Sequence, residues 1–385
     1  MRAVRAALAL MLLPLGAAAC AAAMRAPVGG DVTGHRIVSA LDGAVAERTL
    51  AELSAGLTPG HPAVAAALAG DGLPTFEDLR GLTQATSVDT ATLVLIARLA
   101  RLPEHAAAQN LYARYLARLR AWGRAGWPLL AACMAGADLP EIHFVPGWFY
   151  RSNPATGADF AAQRRLFAAL GLGTALIEID ENGAVDDNAA VIAAHLRARP
   201  PERRVILVST SKGGPEAAHA LGALLTRDEA APVRAWVNVG GVLRGSPLAD
   251  LARTWPLSWL AWAALAWDGI DGGDSIDSLT TARSMARLHR QHLPAHLAVF
   301  HYVGVPLSGQ ITVDARDGYD RLRRFGPNDG LTPLAHQWAH PGAIVMGIGL
   351  DHFYRDAEID LKTAAMAFTV LERLGETVPR DCVRP

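Results

Sequence analysis

Long apolar runs, a charge excess of either sign and a ready stock of thiols are all missing from this chain. No hydrophobic stretch reaches the roughly 18 uninterrupted residues that crossing a bilayer requires, which excludes a polytopic membrane protein. The 36 basic and 37 acidic side chains leave a formal net charge of −1, so nothing in the charge balance suggests a nucleic-acid partner. Lysine is almost absent. Lys212 and Lys362 are the only two, and arginine supplies the other basic residues, a bias that fits the abundance of alanine and carries no mechanism by itself. Charged residues make up 19% and hydrophobic residues 51% of the chain, which excludes disorder. At about 150 residues per domain, 385 residues make one large domain or two ordinary ones, ample to bury a core without staples.

Cysteine occurs three times, and its placement depends on how the N-terminus is read. Arg2 and Arg5 precede the apolar run Ala6 to Leu15 and the small residues Gly16 to Ala19. Positive end, short hydrophobic stretch, small residues: this is the layout of an export signal over residues 1–20. Cys20 follows directly, where a bacterial lipoprotein carries its acylated cysteine, although Ala17 stands where leucine is usual. The expected location is the periplasm, the outer membrane through a lipidated Cys20, or the medium.

A change of rhythm divides the rest. Residues 24 to about 58 hold one or two short strands, and Thr75 to Trp122 has helical periodicity. Gly123 to Pro140 breaks up into glycine, proline and small residues. From Glu141 onward, apolar runs alternate with amphipathic helices. The predicted strands are 141–149, 174–180, 204–209, 233–239, 298–305 and 343–349. Continuous apolar strands separated by helices mean an α/β fold with a mostly parallel sheet covered on both faces. The expected organisation is therefore an export segment (1–20), a largely helical extension (21–140) and a catalytic α/β domain (141–385) with an insertion at about 248–296.

The third of these strands runs into Ser209-Thr210-Ser211-Lys212-Gly213-Gly214 and at once into a helix. A serine at such a turn needs small residues two places either side, which Ser209 and Gly213 supply, and it is lifted toward the unpaired N–H groups of the helix start. Here the chain resembles the α/β-hydrolase superfamily, in its lipase and esterase branch, with Ser209 in place of the first glycine of the usual motif. The resemblance implies Ser211 as nucleophile and a triad in the order Ser, Asp, His. Val145-Pro146-Gly147-Trp148 is similar to the lipase oxyanion loop, with Pro146 replacing the usual histidine, and it implies the backbone N–H groups of Trp148 and Lys212 as the oxyanion donors. Pro327-Asn328-Asp329-Gly330 resembles the acid loop and implies Asp329; Asp314, Asp317 and Asp320 compete for that role. Gly349-Leu350-Asp351-His352 places His352 just past the last strand, as lipases place their base, with Asp351 as its structural neighbour.

Between the 233–239 and 298–305 strands, Trp255, Trp259 and Trp262 recur at helical spacing. They form either a lid over an acyl pocket or a buried cap. His289, His292 and His296, with His336 and His340, lack the carboxylate or cysteine partners of a metal set, so no metal and no cofactor is expected. The function implied by the resemblance is an exported serine hydrolase acting on a small or lipid-like carboxylic ester. The alternatives are a thioesterase or depolymerase, and a cell-envelope binding lipoprotein that keeps the fold without turnover.

Export would leave Cys133 and Cys382 in an oxidising compartment. They then form either a disulfide closing a loop of 249 residues or two free buried thiols. A bridge would contribute roughly 5 kcal/mol in the chain-entropy model, before any strain. Alkylation of the exported protein without reductant, read by mass spectrometry, should leave both thiols unmodified if the bridge exists; alkylation at both removes it.

Overall fold

The computed structural model describes residues 25–123, 126–253 and 273–376. The export segment with Cys20, the aromatic residues Trp255, Trp259 and Trp262, and Cys382 lie outside the described residues. Eight strands are described in chain order: β1 (Val28–Val32), β2 (His35–Ser39), β3 (Glu141–Val145), β4 (Thr174–Leu176), β5 (Val205–Thr210), β6 (Val233–Val239), β7 (Ala298–Val305) and β8 (Ala343–Ile348). The first two form an antiparallel hairpin. The other six make one parallel sheet in the order β4-β3-β5-β6-β7-β8, as the alternation of apolar runs and helices predicts.

Because side chains alternate across a strand, each face of this sheet needs its own cover. On one face Ile142, Phe144, Ile206, Val237, Tyr302 and Val345 pack with the helices Pro103–Trp122, Ala161–Ala169 and Ile359–Arg373. On the other, Val205, Leu207, Trp236 and Val299 pack under the helices Val185–Arg197 and Gly213–His219. That second face is left uncovered toward β7 and β8, and the N-terminal segment fills the gap. Val303, Val305, Ile344 and Met346 share a core with Val32 and Ile37 of the hairpin and with the helices Ala44–Ser54 and Val88–Leu99. The same segment also guards an edge. β8 is the last strand, and the Gln109 side chain accepts from Met346 N (2.7 Å) while His105 Nδ1 accepts from Ile344 N (3.2 Å). These bonds occupy backbone groups through which an exposed edge would recruit another strand.

Several elements differ from the sequence expectation. β4 is three residues long rather than seven, because Asn188 bonds both backbone groups of Asp180 (Oδ1 from Asp180 N at 3.1 Å, Nδ2 to Asp180 O at 2.7 Å) and draws the chain off the ladder. The helices Ala44–Ser54, Pro62–Ala69 and Trp127–Met134 occupy stretches in which no helix is predicted. Pro62 and Pro128 fall in the first helical turn of the latter two, where a missing N–H leaves no bond unmade. Within the predicted helical stretch 75–122, Ser87 Oγ accepts from Thr90 N, and Thr75 with Asp78 forms a capping box. Among the described residues no helix is long and apolar enough to cross a membrane.

A buried carboxylate ties the N-terminal segment to the loop after β7. Asp89, fully buried, accepts from Ser308 N (2.8 Å), Ser308 Oγ (2.5 Å) and Asp42 N (2.7 Å). Burial, together with the neighbouring Asp42 charge, pushes its carboxyl up to about 6, against the pull of the Ser308 and Asp42 bonds. A carboxyl raised this way in the folded state contributes stability that is whole below its unfolded value of about 3.9 and is lost as pH rises through the folded one. Thermal unfolding between about pH 4 and pH 7 should therefore show Asp89→Asn gaining on the wild type as pH rises. A difference that stays constant over that window would mean that Asp89 does not titrate there.

Candidate active site

The site is built at the carboxyl ends of β3, β5 and β7 and in the loop after β8, where an open parallel sheet exposes its strand ends. Ser211 follows β5 with φ of 51°. Left-handed backbone is sparsely populated by non-glycine residues and costs of order 1–3 kcal/mol, so neighbouring contacts must hold it. Gly213 is the tightest of them: a Cβ there would lie 2.5 Å from Pro146 O and 2.9 Å from Val145 O. A Cβ on Gly214 would lie 2.7 Å from both Asn238 Oδ1 and Gly241 Cα. The helix start is thus wedged between the ends of β3 and β6, and the backbone reverses at Ser211. Ser209, the departure from the usual glycine, is buried and accepts from Trp236 Nε1 at 2.8 Å. Its hydroxyl satisfies an indole N–H that would otherwise be buried without an acceptor.

Ser211 Oγ lies 2.9 Å from His352 Nε2, and His352 Nδ1 lies 2.7 Å from Asp329 Oδ2. Asp329 is fully buried. Its Oδ1 accepts from Leu331 N and Thr332 N (2.9 Å each), and its Oδ2 also accepts from Gln337 Nε2 (2.7 Å). Four donors fix the carboxylate, which in turn fixes the imidazole tautomer with the proton on Nδ1. A backbone bond from His352 N to Asp329 O (3.0 Å) locks the two loops together. Burial works to lower the His352 pKa, but the Asp329 charge and hydrogen bond, with the Asp351 charge, outweigh it and hold the imidazole above its usual value. Two residues on, Tyr354 has φ of 50°, and its hydroxyl donates to Tyr302 O (3.0 Å) and accepts from Gly304 N (2.9 Å), stapling the His352 loop to β7.

The competing acids lie elsewhere. Asp314, Asp317 and Asp320 are exposed on the helix Val313–Leu322, and Asp314 pairs with Arg355. Asp351 accepts from Thr312 and from Phe353 N, a loop-closing role. Three of the five histidines considered for metal have separate partners: His336 with Gly245 O, His340 with Gln291 Oε1, His296 with Ala230 O.

Gly147 packs against Ser211, its position for a Cβ being 3.3 Å from Ser211 Cβ. Beyond it, the backbone N–H groups of Trp148 and Lys212 donate to no acceptor among the described residues. The Trp148 and Phe149 rings stack at 4.6 Å and 10°, and with Ile276, Ala249 and Ala252 they form a small apolar cluster. Gln337, Tyr354 and Asn188 were not singled out by motif reading. Glu216 could have been, since it stands one helical turn after Lys212.

A hydroxyl bonded to an imidazole, itself held by a buried carboxylate, is an arrangement in which the imidazole can take up the hydroxyl's proton. The six-stranded parallel sheet and the strand-to-helix turn at Ser211 are those of the α/β-hydrolase fold, and the chain is similar to its lipase and esterase branch. A Bacillus licheniformis lipase in its propeptide form matches with a TM-score of 0.50 and 25% identity over 63% of this chain and 52% of that one. The chain therefore spans about half of that pro form's length. A metagenomic carboxyl esterase matches with a TM-score of 0.46 and 23% identity over 64% of this chain and 78% of that one. The lipase of Staphylococcus hyicus matches at 0.48 and 14% identity over 63% and 99%. No protein-family model and no curated protein matches the chain.

The turn geometry predicts two substitutions of opposite sign. Gly213→Ala should destabilise by about 1–3 kcal/mol through overpacking against two carbonyls. Ser211→Gly should stabilise by on the order of 1 kcal/mol by relieving the left-handed strain. Denaturant unfolding measures both, and a stabilised Gly213→Ala would contradict the close approach.

Proposed function

We propose that the protein is a serine hydrolase of carboxylic esters that works through an acyl-enzyme. The observation that carries the reading is the unbroken line from Ser211 Oγ through His352 to the four-fold-held Asp329, beside two unclaimed backbone N–H groups. Ser211 Oγ attacks the ester carbonyl carbon and its proton passes to His352 Nε2, while Nδ1–H stays on Asp329. The carbonyl oxygen becomes an anion and takes hydrogen bonds from the N–H groups of Trp148 and Lys212. The bond to the alkoxy oxygen then breaks, His352 Nε2 returning the proton to the departing alcohol. Water repeats the sequence on the acyl-enzyme and frees the acid.

The stacked Trp148 and Phe149 and their aliphatic neighbours favour an apolar acyl group over a charged one. Export by the N-terminal segment, with attachment through Cys20, would give the enzyme lipid-like esters at a membrane surface as substrates. A thioester offers the same carbonyl, so a panel of nitrophenyl esters and acyl thioesters of graded length defines the preferred substrate.

A fluorophosphonate probe should label Ser211 in the wild type and leave Ser211→Ala untouched. A wild-type chain that does not label would favour the binding lipoprotein that retains the fold without turnover. Asp329→Asn should lower kcat by on the order of 10⁴-fold through the wrong imidazole tautomer, whereas Asp314→Asn and Asp317→Asn should not. Since His352 must be neutral to accept the proton and its pKa is raised, activity should fall as pH drops through a value above the usual 6.5 of histidine. Asp329→Asn should move that acid limb downward. A limb that stays in place would mean that another group titrates.

A further inference from the structure

Lys212 supplies one of the two backbone N–H groups at the site, but its side chain turns away from it. The residue is 1% exposed, and its Nζ lies 2.5 Å from Oε1 of Glu216, which is fully buried one helical turn on. The same Oε1 accepts from Asn188 Nδ2 at 2.8 Å. Asn188 clasps the backbone of Asp180, whose Oδ1 accepts from Asn182 N at 2.9 Å. Asn182 Oδ1 in turn accepts from Trp148 Nε1 at 3.2 Å. Trp148 supplies the other N–H. One polar chain therefore joins the side chains of the two residues whose backbones flank Ser211, running behind the site through Glu216, Asn188 and the 180–182 turn.

A buried ion pair is weak evidence of stabilisation, because withdrawing both charges from water offsets most of their attraction. Burial pushes the Glu216 carboxyl up, with Lys212 pulling it back. A well-packed apolar pair would hold the fold equally well, but it would not fix where the turn's N–H groups point. Donors to a developing anion act only when pre-set, and misplacement by about 1 Å can cost on the order of 10²-fold in rate.

We propose that Glu216, Asn188 and Asn182 are positioning residues that set the spacing and direction of the Trp148 and Lys212 N–H groups for the transition-state oxyanion. The proposal rests on the serine hydrolase reading, and its test separates the two. Steady-state hydrolysis of nitrophenyl butyrate is measured for the double variant Lys212→Met/Glu216→Leu, which removes both buried charges together, and for Asn182→Ala and Asn182→Asp, which remove and keep the acceptor for the indole. Thermal unfolding and fluorophosphonate labelling accompany each.

The double variant should fold with a Tm near that of the wild type and lose about 10- to 100-fold in kcat with KM within about twofold, the pattern of an interaction made only in the transition state. Asn182→Ala should lose several-fold in kcat, and Asn182→Asp should restore it. Wild-type kcat in a folded double variant overturns the proposal, as does wild-type kcat in Asn182→Ala even if the double variant fails to fold. Equal losses in Asn182→Ala and Asn182→Asp also overturn it. Labelling of the wild type at Ser211 shows in each case that the hydrolase reading stands; a wild type that does not label removes both.

Discussion

The approach of Gly213 to the carbonyls of Val145 and Pro146 is the contact on which the site depends. At 2.5 and 2.9 Å from a would-be Cβ, it brings the helix start against the end of the neighbouring strand. Three things follow from this one closeness. The turn between β5 and its helix is too short for right-handed backbone throughout, so Ser211 is left at positive φ with its hydroxyl above the sheet. Lys212, next after Ser211, is held beside the β3 end that leads through Gly147 to Trp148. Gly147 can lie against Ser211 because neither residue carries bulk at the contact. A side chain at 213 would separate β3 from the helix and dismantle all three.

How much of this was legible in the sequence depends on whether a residue acts through its neighbours in the chain or through the fold. All six sheet strands were readable, because buried parallel strands must be continuous apolar runs. Ser211 and His352 were readable as candidates because each lies just past a strand, where topology permits few positions. Asp329 could not be separated from Asp314, Asp317 and Asp320 by residue type; what separates it is the convergence of donors from Leu331, Thr332, Gln337 and His352. Gln337 belongs to no motif, and its role exists only once the loops after β7 meet. The shortening of β4 was equally hidden, since it follows from Asn188 competing for the Asp180 backbone from a helix.

The N-terminal segment was the least legible part, for a related reason. The helices missed there, Ala44–Ser54, Pro62–Ala69 and Trp127–Met134, are only 8 to 11 residues long, and the alanines among them carry little periodic signal. Their purpose appears only against the sheet. The crossover helices from Val185 and Gly213 cover one face from β3 to β6, and the same face of β7 and β8 is left to Val32, Ile37, Leu93 and their neighbours. The helix Pro103–Trp122 covers the other face and reaches the β8 edge through Gln109 and His105. The segment thus holds the strand, β8, that leads into the loop carrying His352.

Charge in the site is arranged as two closed pairs. Asp329 faces His352, and Glu216 faces Lys212, with no further carboxylate bonded to His352 or Lys212 among the described residues. In the proposed reaction the imidazole gains a proton as the carbonyl oxygen gains a negative charge, so the net charge of the site does not change and little reorganisation of its surroundings is required. An unpaired lysine at position 212 would bind a carboxylate, the charge of the product acid, as readily as the transition state. Pairing it with a buried glutamate cancels that attraction. Lys212 Nζ and Asn188 Nδ2 both reach Oε1 of Glu216, while its Oε2 is buried without a partner among the described residues. In the proposed reaction the cation is thus held away from the substrate, and the oxyanion is left to the backbone N–H groups of Trp148 and Lys212.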